Sequence, residues 1–508
     1  MERKGNGWEL CGTGVHGCGL RRRSPRRTHS SLGSRLPVPD VLSSLEDMRR
    51  NPISPSGLAT TVLLTAGLFV LPSCASGGPG DGSSGAASAS GDPTSTTSTT
   101  TGPWAVDAAT QEAAEQAVRS MSVEEKAGQV IVASFDGSDA AAVDAQIQTI
   151  EDLHLGGVIV MGRNVPTTGG AGETQEDSAL GGAQGVDVNA MTEQNARMQD
   201  ALSSAHEGQD WPGIISVDQE GGTVTRLGAP LTQWPLTSDI GAANDPDLTR
   251  EAAAGLASEL SGLGFTMNNA PSADVTTPGD AVILDRSYGS VPENVGEQAV
   301  ASVEGHTGAG LVSSPKHFPG HGSVTTDSHV GLPVQEKSVE DLKTSDWVPF
   351  QAAVDAGAPT VMMGHIAVSE WDAKIPATLQ SKAYDAVRND LGFKGAVVTD
   401  ALDMGALHGM VGPGKTIDTG VTTPAGAALQ AGADLLLMPE DEAVAHADIV
   451  QAVESGAIPE DRLDEAATRV VALQMMQKKA AEDPEAPASE PGSHQELVTR
   501  IEEAQPAQ

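Results

Sequence analysis

The sequence is poor in cysteine, in basic residues and in long apolar runs, and each shortage excludes a class of protein. Cysteine occurs only at Cys11, Cys18 and Cys74, so no disulfide framework is predicted. Only 30 Lys and Arg residues oppose 68 Asp and Glu residues, and the formal net charge of −38 argues against nucleic acid or anionic membranes as partners of the protein body. The apolar run at residues 58–71 is too short for a comfortable transmembrane span.

Residues 1–73 have the features of an export signal. The basic, Gly/Ser/Arg-rich residues 1–47 are interpreted as an over-extended gene model before the true start at Met48, or alternatively as a basic leader. Residues 48–73 have the charged, apolar and small-residue regions of a signal peptide. The stretch that ends at Cys74 resembles a bacterial lipobox, in which the cysteine is lipidated; the alternative is a plain cleaved signal with an incidental cysteine. The predicted location is the outer face of the cytoplasmic membrane, as a lipoprotein, or else secretion.

Two further segments are predicted to lie outside the folded core. Residues 74–104 are rich in Gly, Ser, Ala and Thr and are predicted to form a flexible tether behind the lipidated cysteine. The acidic, Pro-rich residues 479–508 are predicted to be a disordered tail. The globular domain is therefore predicted at residues 105–478. We expect it to be a monomer that contacts the membrane only through its lipid anchor.

Within residues 105–478, apolar runs alternate with Ala-rich amphipathic stretches such as 247–263, 293–304, 347–356 and 379–391. The runs are short and non-alternating, which is typical of strands buried on both faces of a parallel sheet. They lie at residues 129–135, 157–161, 214–218, 265–270, 311–317, 360–365, 396–400 and 434–438. Eight such units predict an α/β fold, a single (β/α)8 TIM-type barrel. A doubly wound open sheet is the alternative, but no G-x-G-x-x-G motif follows the first run.

Polar residues stand at the same end of four of these runs. Asp218 closes the third run, Lys316 and His317 the fifth, His365 the sixth and Asp400 the seventh. Core packing does not predict this placement, whereas the active sites of (β/α)8 barrels lie at the C-terminal ends of the strands. Two Gly-rich insertions, 165–186 and 408–423, follow the second and seventh runs and are predicted to be rim or lid loops over the same face.

The residues after the fifth run concentrate imidazole and charge. They read Lys316-His-Phe-Pro-Gly-His-Gly322 and then Asp327-Ser-His329, with a proline and glycines that exclude a regular helix. One interpretation is a solvated loop with incidental histidines. A metal site is a second, but the H-x3-H spacing places two ligands together only on a helix. The third is an Asp327–His329 pair for proton transfer.

These motifs, with Thr399-Asp-Ala-Leu-Asp-Met404, resemble family 3 glycoside hydrolases, in the branch of bacterial β-N-acetylglucosaminidases. The resemblance implies that Asp400 is a nucleophile that forms a covalent glycosyl-enzyme. It implies that His329, rather than a carboxylic acid, is the acid/base. Asp327 is then expected to raise the pKa of His329 and keep it protonated for the leaving oxygen.

The resemblance also implies a set of sugar-binding residues. D-Q-E-G-G-x-V-x-R at residues 218–226 and D-R-S-Y-G at residues 285–289 match family motifs that contact sugar hydroxyls. The implied substrate-binding residues are Asp218, Arg226, Arg286, Lys316 and His317. Glu220 and His321 are expected to hold loops. No cofactor and no metal ion is implied.

The function implied by the resemblance is that of a retaining exo-β-N-acetylglucosaminidase that removes terminal N-acetylglucosamine from peptidoglycan fragments. A phosphorylase with the same residues is an alternative, because a neutral imidazole, unlike a carboxylate, does not repel an anionic phosphate acceptor. A catalytically silent muropeptide-binding lipoprotein is a second alternative. The joint presence of Asp400, Asp327 and His329 argues against it, because a binder needs no nucleophile.

Overall fold

A computed structural model describes Trp104 and residues 106–169, 182–206, 208–277 and 282–506 of the chain. These residues belong to one unit that spans Thr94–Gln508. The predicted leader, signal peptide, lipidated Cys74 and nearly all of the tether lie outside the described residues. Among the helices that are described, none has the length and apolar character needed to cross a membrane.

Most of the described strands lie where the apolar runs predict them. Twelve strands are described: β1 Ile131–Ala133, β2 Gly157–Val160, β3 Ile214–Val217, β4 Gln219–Gly221, β5 Val224–Thr225, β6 Met267–Asn268, β7 Val312–Ser313, β8 Val334–Gln335, β9 Thr360–Met363, β10 Ala367–Val368, β11 Ala396–Thr399 and β12 Leu436–Leu437. Eight of them, β1, β2, β3, β6, β7, β9, β11 and β12, fall within the eight predicted runs. Their residues are buried, as expected for strands covered on both faces.

The parallel sheet is curled. Six strands pair in the order β12-β1-β2-β3-β6-β7, and β9 pairs in parallel with β11. Hydrogen bonds connect the two groups: Phe318 N donates to Met362 O (2.9 Å), and Thr399 N donates to Leu435 O (3.0 Å). The last strand lies beside the first, which does not match the 3-2-1-4-5-6 order of a doubly wound sheet. The fold is therefore an α/β fold with a curled parallel sheet.

Helices connect the strands. Fifteen α-helices are described: α1 Ala108–Ser120, α2 Val123–Gln129, α3 Ala140–Leu153, α4 Val188–Ser204, α5 Thr237–Ala243, α6 Pro246–Gly262, α7 Pro292–Gly308, α8 Val339–Lys343, α9 Val348–Asp355, α10 Ser369–Asp372, α11 Ser381–Asp385, α12 Pro424–Ala431, α13 Glu442–Ser455, α14 Glu460–Glu482 and α15 Gln495–Ala504. Three of the four predicted helical stretches match α6, α7 and α9. The fourth is split, because α11 continues as a π-helical turn at Ala386–Asp390.

Aspartate side chains begin several of these helices. Asp107, Asp139, Asp187, Asp245 and Asp441 each accept a hydrogen bond from a backbone N–H of the first turn. A carboxylate in this position satisfies an otherwise unpaired donor and interacts favourably with the helix dipole. Some of the many acidic residues of the sequence therefore fix the residues at which helices begin.

The prediction of a disordered tail at residues 479–508 is wrong. Helix α14 extends to Glu482, and α15 packs against α5 and α6 with Val498 and Ile501 buried. The ring of His494 stacks on Trp234, with the ring centroids 6.0 Å apart. The acidic composition conceals an apolar stripe with helical spacing, and this stripe docks the segment on the core.

The predicted boundary between the tether and the domain also needs a correction. Trp104, placed in the tether, is buried, and its Nε1 donates to Thr307 O at 3.2 Å. An indole that buries its ring and pairs its N–H contributes to packing in the way a core residue does. The packed part of the chain therefore includes residue 104.

We expect Ile501→Ala to lower the free energy of unfolding by about 2–4 kcal/mol, because it leaves a cavity under α15. Thr499→Ala, in the same helix but exposed, is the matched control and should change it by less than about 0.5 kcal/mol. Urea unfolding of the two variants measures the difference. Equal stability of both variants would contradict the docking of the C-terminal helix.

Candidate active site

The polar residues predicted at the strand ends lie at one face of the sheet. Asp218 directly follows β3, and Asp400 directly follows β11. His365 and the pair Lys316–His317 come shortly after β9 and β7. Because all of these strands run parallel, their carboxyl ends meet at the same edge, which is where the side chains contact one another.

Two of these residues, Asp218 and Lys316, form a chain of ion pairs with three further charged side chains. Arg226 Nη2 lies 2.9 Å from Asp218 Oδ2, and Lys316 Nζ lies 3.8 Å from Asp218 Oδ1. Lys316 Nζ also lies 2.6 Å from Glu220 Oε1, whose two oxygens bind Arg286 at 2.7 and 2.9 Å. We call this set, Arg226, Asp218, Lys316, Glu220 and Arg286, the ion-pair chain. It brings together four of the five residues predicted to bind sugar.

Exposure separates the roles within the ion-pair chain. The Asp218 side chain is 17% exposed, whereas that of Glu220 is 2% exposed. Asp218 is therefore accessible to a ligand, while Glu220 holds Arg286 and Lys316 in place. Burial raises the pKa of Glu220, but the charges of Arg286 and Lys316 outweigh it and keep that pKa well below its ordinary value. Glu220 was expected to hold a loop, and in the structure its carboxylate holds the side chains of Arg286 and Lys316.

The fifth predicted sugar-binding residue, His317, contacts the ion-pair chain through Arg286 and is held from its other side by a carboxylate that sequence reasoning missed. Asp274, fully buried, lies 2.7 Å from His317 Nδ1 and accepts from the backbone N–H of His321 at 2.6 Å. Arg286 Nη2 donates towards His317 Nε2 at 3.4 Å. An arginine has no acceptor, so Nε2 carries the lone pair and Nδ1–H donates to Asp274. Asp274 lies after β6, and its place near a strand end is the signal that could have identified it.

Asp400 is a partly buried, ionised carboxylate at the end of β11. Its Oδ1 accepts from the N–H of Ala401 at 2.9 Å. Burial raises the pKa of Asp400, but His317, His365 and this hydrogen bond together lower it to about 2. His365 Nε2 donates to Ala401 O at 2.7 Å, and its Nδ1 accepts from Thr378 Oγ1 at 2.7 Å, so the histidine fixes the segment that carries Asp400.

Asp327 and His329 form the predicted pair on a more exposed loop. His329 Nδ1 lies 2.8 Å from Asp327 Oδ1, which also accepts the backbone N–H of His329 at 2.9 Å. Their side chains are 43% and 42% exposed. Ser328 between them is buried and bonds to the ring of His321 and to the N–H of Ala406. His329 is close enough to Asp400 to contribute to the lowered pKa of that carboxylate.

The two insertions differ in how far they are described. Within 165–186, residues 170–181 lie outside the described part, and Thr167 bridges to Val186 across the gap. The second insertion, 408–423, is described throughout, and a β-bridge joins its residues Val411 and Ile417. It follows the turn at Gly405–Leu407, which contacts the backbone of the Asp327–His329 loop through Ala406. Their action as lids stays a prediction.

Comparison with known proteins identifies the family of this arrangement. The profile of the Glycosyl hydrolase family 3 N terminal domain matches residues 122–473, more than half of the chain. The chain belongs to this family. This confirms the resemblance drawn from the sequence motifs, and the matched family 3 segment includes every residue of the ion-pair chain, Asp274, Asp400 and the Asp327–His329 pair.

Individual relatives of this family 3 chain give more detail. A beta-hexosaminidase of Stenotrophomonas maltophilia is 35% identical over 240 residues, which are 46% of this chain and 69% of that protein. A beta-hexosaminidase of Nitrosomonas eutropha is 33% identical over 256 residues, 49% of this chain and 71% of that protein. The solved structure of a glycoside hydrolase family 3 beta-N-acetylglucosaminidase from Paenibacillus sp. superposes with a TM-score of 0.65 at 34% identity, covering 76% of this chain and 69% of that one.

We expect Glu220→Gln to lower the free energy of unfolding by about 3–5 kcal/mol, because it removes the carboxylate that pairs with buried Arg286 and leaves buried Lys316 with the longer contact to Asp218 at 3.8 Å. Glu304→Gln is the matched control, since Glu304 pairs with Arg250 at 2.7 Å but is 43% exposed. Its loss should be below about 1 kcal/mol.

The same two variants also test how the contribution of Glu220 to stability depends on pH. Glu220 has a lowered pKa in the folded state, so its contribution is complete above the ordinary glutamate pKa of about 4.3 and is lost as the pH falls below it. The difference in free energy of unfolding between wild type and Glu220→Gln should therefore become smaller as the pH falls from 5 to 3. If Glu220→Gln and Glu304→Gln lower the free energy of unfolding equally at pH 7, the buried ion-pair chain is contradicted.

Proposed function

We propose that this family 3 enzyme is a retaining exo-β-N-acetylglucosaminidase that hydrolyses terminal, non-reducing N-acetylglucosamine. The observation that carries the proposal is a partly buried, ionised Asp400 at a strand end, near enough to the exposed Asp327–His329 pair for His329 to help lower its pKa. A nucleophile and a proton-transfer group on separate loops of one site are what glycoside hydrolysis requires. The names of the two curated relatives and of the Paenibacillus structure support the N-acetylhexosamine specificity.

In the first step, the Asp400 carboxylate attacks the anomeric carbon of the sugar. The bond from that carbon to the leaving oxygen breaks, and the proton on His329 Nε2 passes to that oxygen. Asp327 accepts the Nδ1–H of His329, orients the ring and stabilises the imidazolium that donates. The product of the step is a covalent glycosyl-enzyme on Asp400 with inverted configuration at the anomeric carbon.

In the second step, water replaces the enzyme at the same carbon. Neutral His329 now removes a proton from the water as it attacks, and the bond to Asp400 breaks to restore the carboxylate. Two inversions give net retention. The low pKa of Asp400 suits both steps, because the carboxylate is a ready nucleophile at neutral pH and a good leaving group.

The ion-pair chain and His317 supply the sugar contacts in this proposal. Asp218, Arg226, Lys316, Arg286 and His317 present acceptors and donors at fixed positions, which suits a sugar ring with several hydroxyl groups. Their mutual ion pairs hold these groups before the sugar arrives, so little ordering accompanies binding.

Three finer features also belong to the proposal. We propose that the eight parallel strands close into one barrel, which the hydrogen bonds from Phe318 to Met362 and from Thr399 to Leu435 support. We propose that the natural substrates are peptidoglycan fragments and that the mature protein is held at the membrane through Cys74. The signal-like residues 48–73 and the lipobox-like stretch support that location.

The function is tested by supplying the full chain with an aryl N-acetyl-β-glucosaminide and identifying the sugar that forms, with and without inorganic phosphate. The proposal predicts free N-acetylglucosamine and no effect of phosphate. A sugar 1-phosphate would instead establish the phosphorylase. Sugar binding without release of the aryl group would establish a silent binder.

We expect His329→Ala to lose at least about 100-fold in kcat/KM on a disaccharide substrate, since general acid catalysis contributes on this scale. The loss should be much smaller with a nitrophenyl leaving group, which needs little protonation. His408→Ala removes an exposed histidine of the neighbouring loop and is the control; it should leave the ratio between the two substrates unchanged. Equal losses on both substrates for His329→Ala would contradict the acid/base assignment.

A further inference from the structure

Far from the site described above, two histidines and a glutamate come together at the opposite edge of the sheet. Glu125 lies on α2, which precedes β1; His154 lies before β2; and His206 lies before β3. One ligand atom from each lies within 4.8 Å of the others. These positions are at the amino ends of the strands, whereas Asp400 follows the carboxyl end of β11.

His206 is the buried member of the cluster. It is 5% exposed, and within the described residues neither of its ring nitrogens has a hydrogen-bond partner. Burying an imidazole without a partner is unfavourable, so such a ring in a folded protein calls for a ligand. Burial also lowers the pKa of His206 to about 4, despite the opposing charge of Glu125, so the ring is neutral at physiological pH and has a lone pair to offer.

His154 is already oriented as a metal ligand. Its Nδ1 lies 2.7 Å from the carbonyl oxygen of Ala205, the neighbour of His206, so Nδ1 carries the hydrogen and Nε2 the lone pair. Metal-bound histidines usually donate their second N–H to a backbone carbonyl or a carboxylate in this way. His154 also ends α3 with φ of 53°, a left-handed conformation that glycine or asparagine would adopt at lower cost.

Glu125 supplies the charge. Its Oε2 accepts from the backbone N–H of Ser122 at 2.7 Å in a capping box, which anchors the carboxylate at the first turn of α2. The rings of His154 and His206 lie 5.9 Å apart by their centroids. His446 lies close by, but its Nε2 donates to the carbonyl of Glu124 at 2.9 Å and is therefore occupied.

From this arrangement we propose that Glu125, His154 and His206 bind a divalent transition-metal ion of the Zn2+ type, remote from the catalytic site. Two neutral imidazoles and one carboxylate, completed by water, form a common tetrahedral ligand set for zinc. In such a site the ligand atoms are about 3.4 Å apart, so the side chains need to close only by small rotations. The ion would join the segments that lead into β1, β2 and β3 and stabilise this edge of the sheet.

The test is calorimetric titration of the metal-free full chain with zinc chloride. We expect one zinc ion per chain and a rise in the unfolding temperature of about 3 °C at a 100-fold excess over Kd. His154→Asn removes the ligand but suits the left-handed backbone, and Glu125→Gln keeps the capping bond. Each should weaken zinc binding at least about 10-fold. Glu124→Gln, the exposed neighbour on α2, is the matched control and should bind zinc as wild type does.

The catalytic histidines could bind zinc as well, so His329→Ala is titrated in parallel. The proposal predicts that the thermal stabilisation by zinc persists in His329→Ala and is lost in His154→Asn and Glu125→Gln. No zinc binding by the wild type at 100 µM, or stabilisation that survives in both of those variants, would overturn it. Stabilisation that disappears only in His329→Ala would place the zinc at the catalytic site and would also overturn it.

Discussion

The structure depends on the compensation of buried charge at the carboxyl ends of the strands. Glu220, 2% exposed, satisfies Lys316 and Arg286 at once, and Asp218 satisfies Lys316 and Arg226. A single buried charge without a partner would cost several kcal/mol, so each group of the ion-pair chain is tolerated only because its neighbours are present. This interdependence holds the charged side chains of the ion-pair chain in fixed positions at the end of an otherwise apolar sheet.

The compensation also sets the ionisation of Asp400, the proposed nucleophile. Burial raises the pKa of Asp400, but His317, His365 and the N–H of Ala401 outweigh this effect and lower that pKa to about 2. The positions of these histidines follow from Asp274 and Thr378, which bond to their rings. The Asp327–His329 pair differs in being over 40% exposed and attached through buried Ser328. The ion-paired groups proposed to bind sugar and the exposed pair proposed to transfer protons thus lie on different elements.

Much of this could be predicted from the sequence, because the features involved are local. The eight runs of β-branched and other apolar residues locate the strands, and the polar residues that close them locate the site. Asp274 was missed, because its partners His317 and His321 are remote in the sequence and its own surroundings carry no charge pattern. The docking of α15 was missed because average composition hides the stripe of Val498 and Ile501. The cluster of Glu125, His154 and His206 has no local signal, since only the parallel arrangement of β1, β2 and β3 brings these residues together.

The proposed mechanism depends above all on a covalent bond between Asp400 and the sugar. The most direct measurement incubates the protein with a 5-fluoro-N-acetylglucosaminyl fluoride, which forms a glycosyl-enzyme faster than that intermediate is hydrolysed, and locates the label by mass spectrometry of peptides. We expect one sugar per chain on the peptide that contains Asp400, and no label on the Asp400→Asn variant. A label on another residue, or an equal label on that variant, would contradict this mechanism.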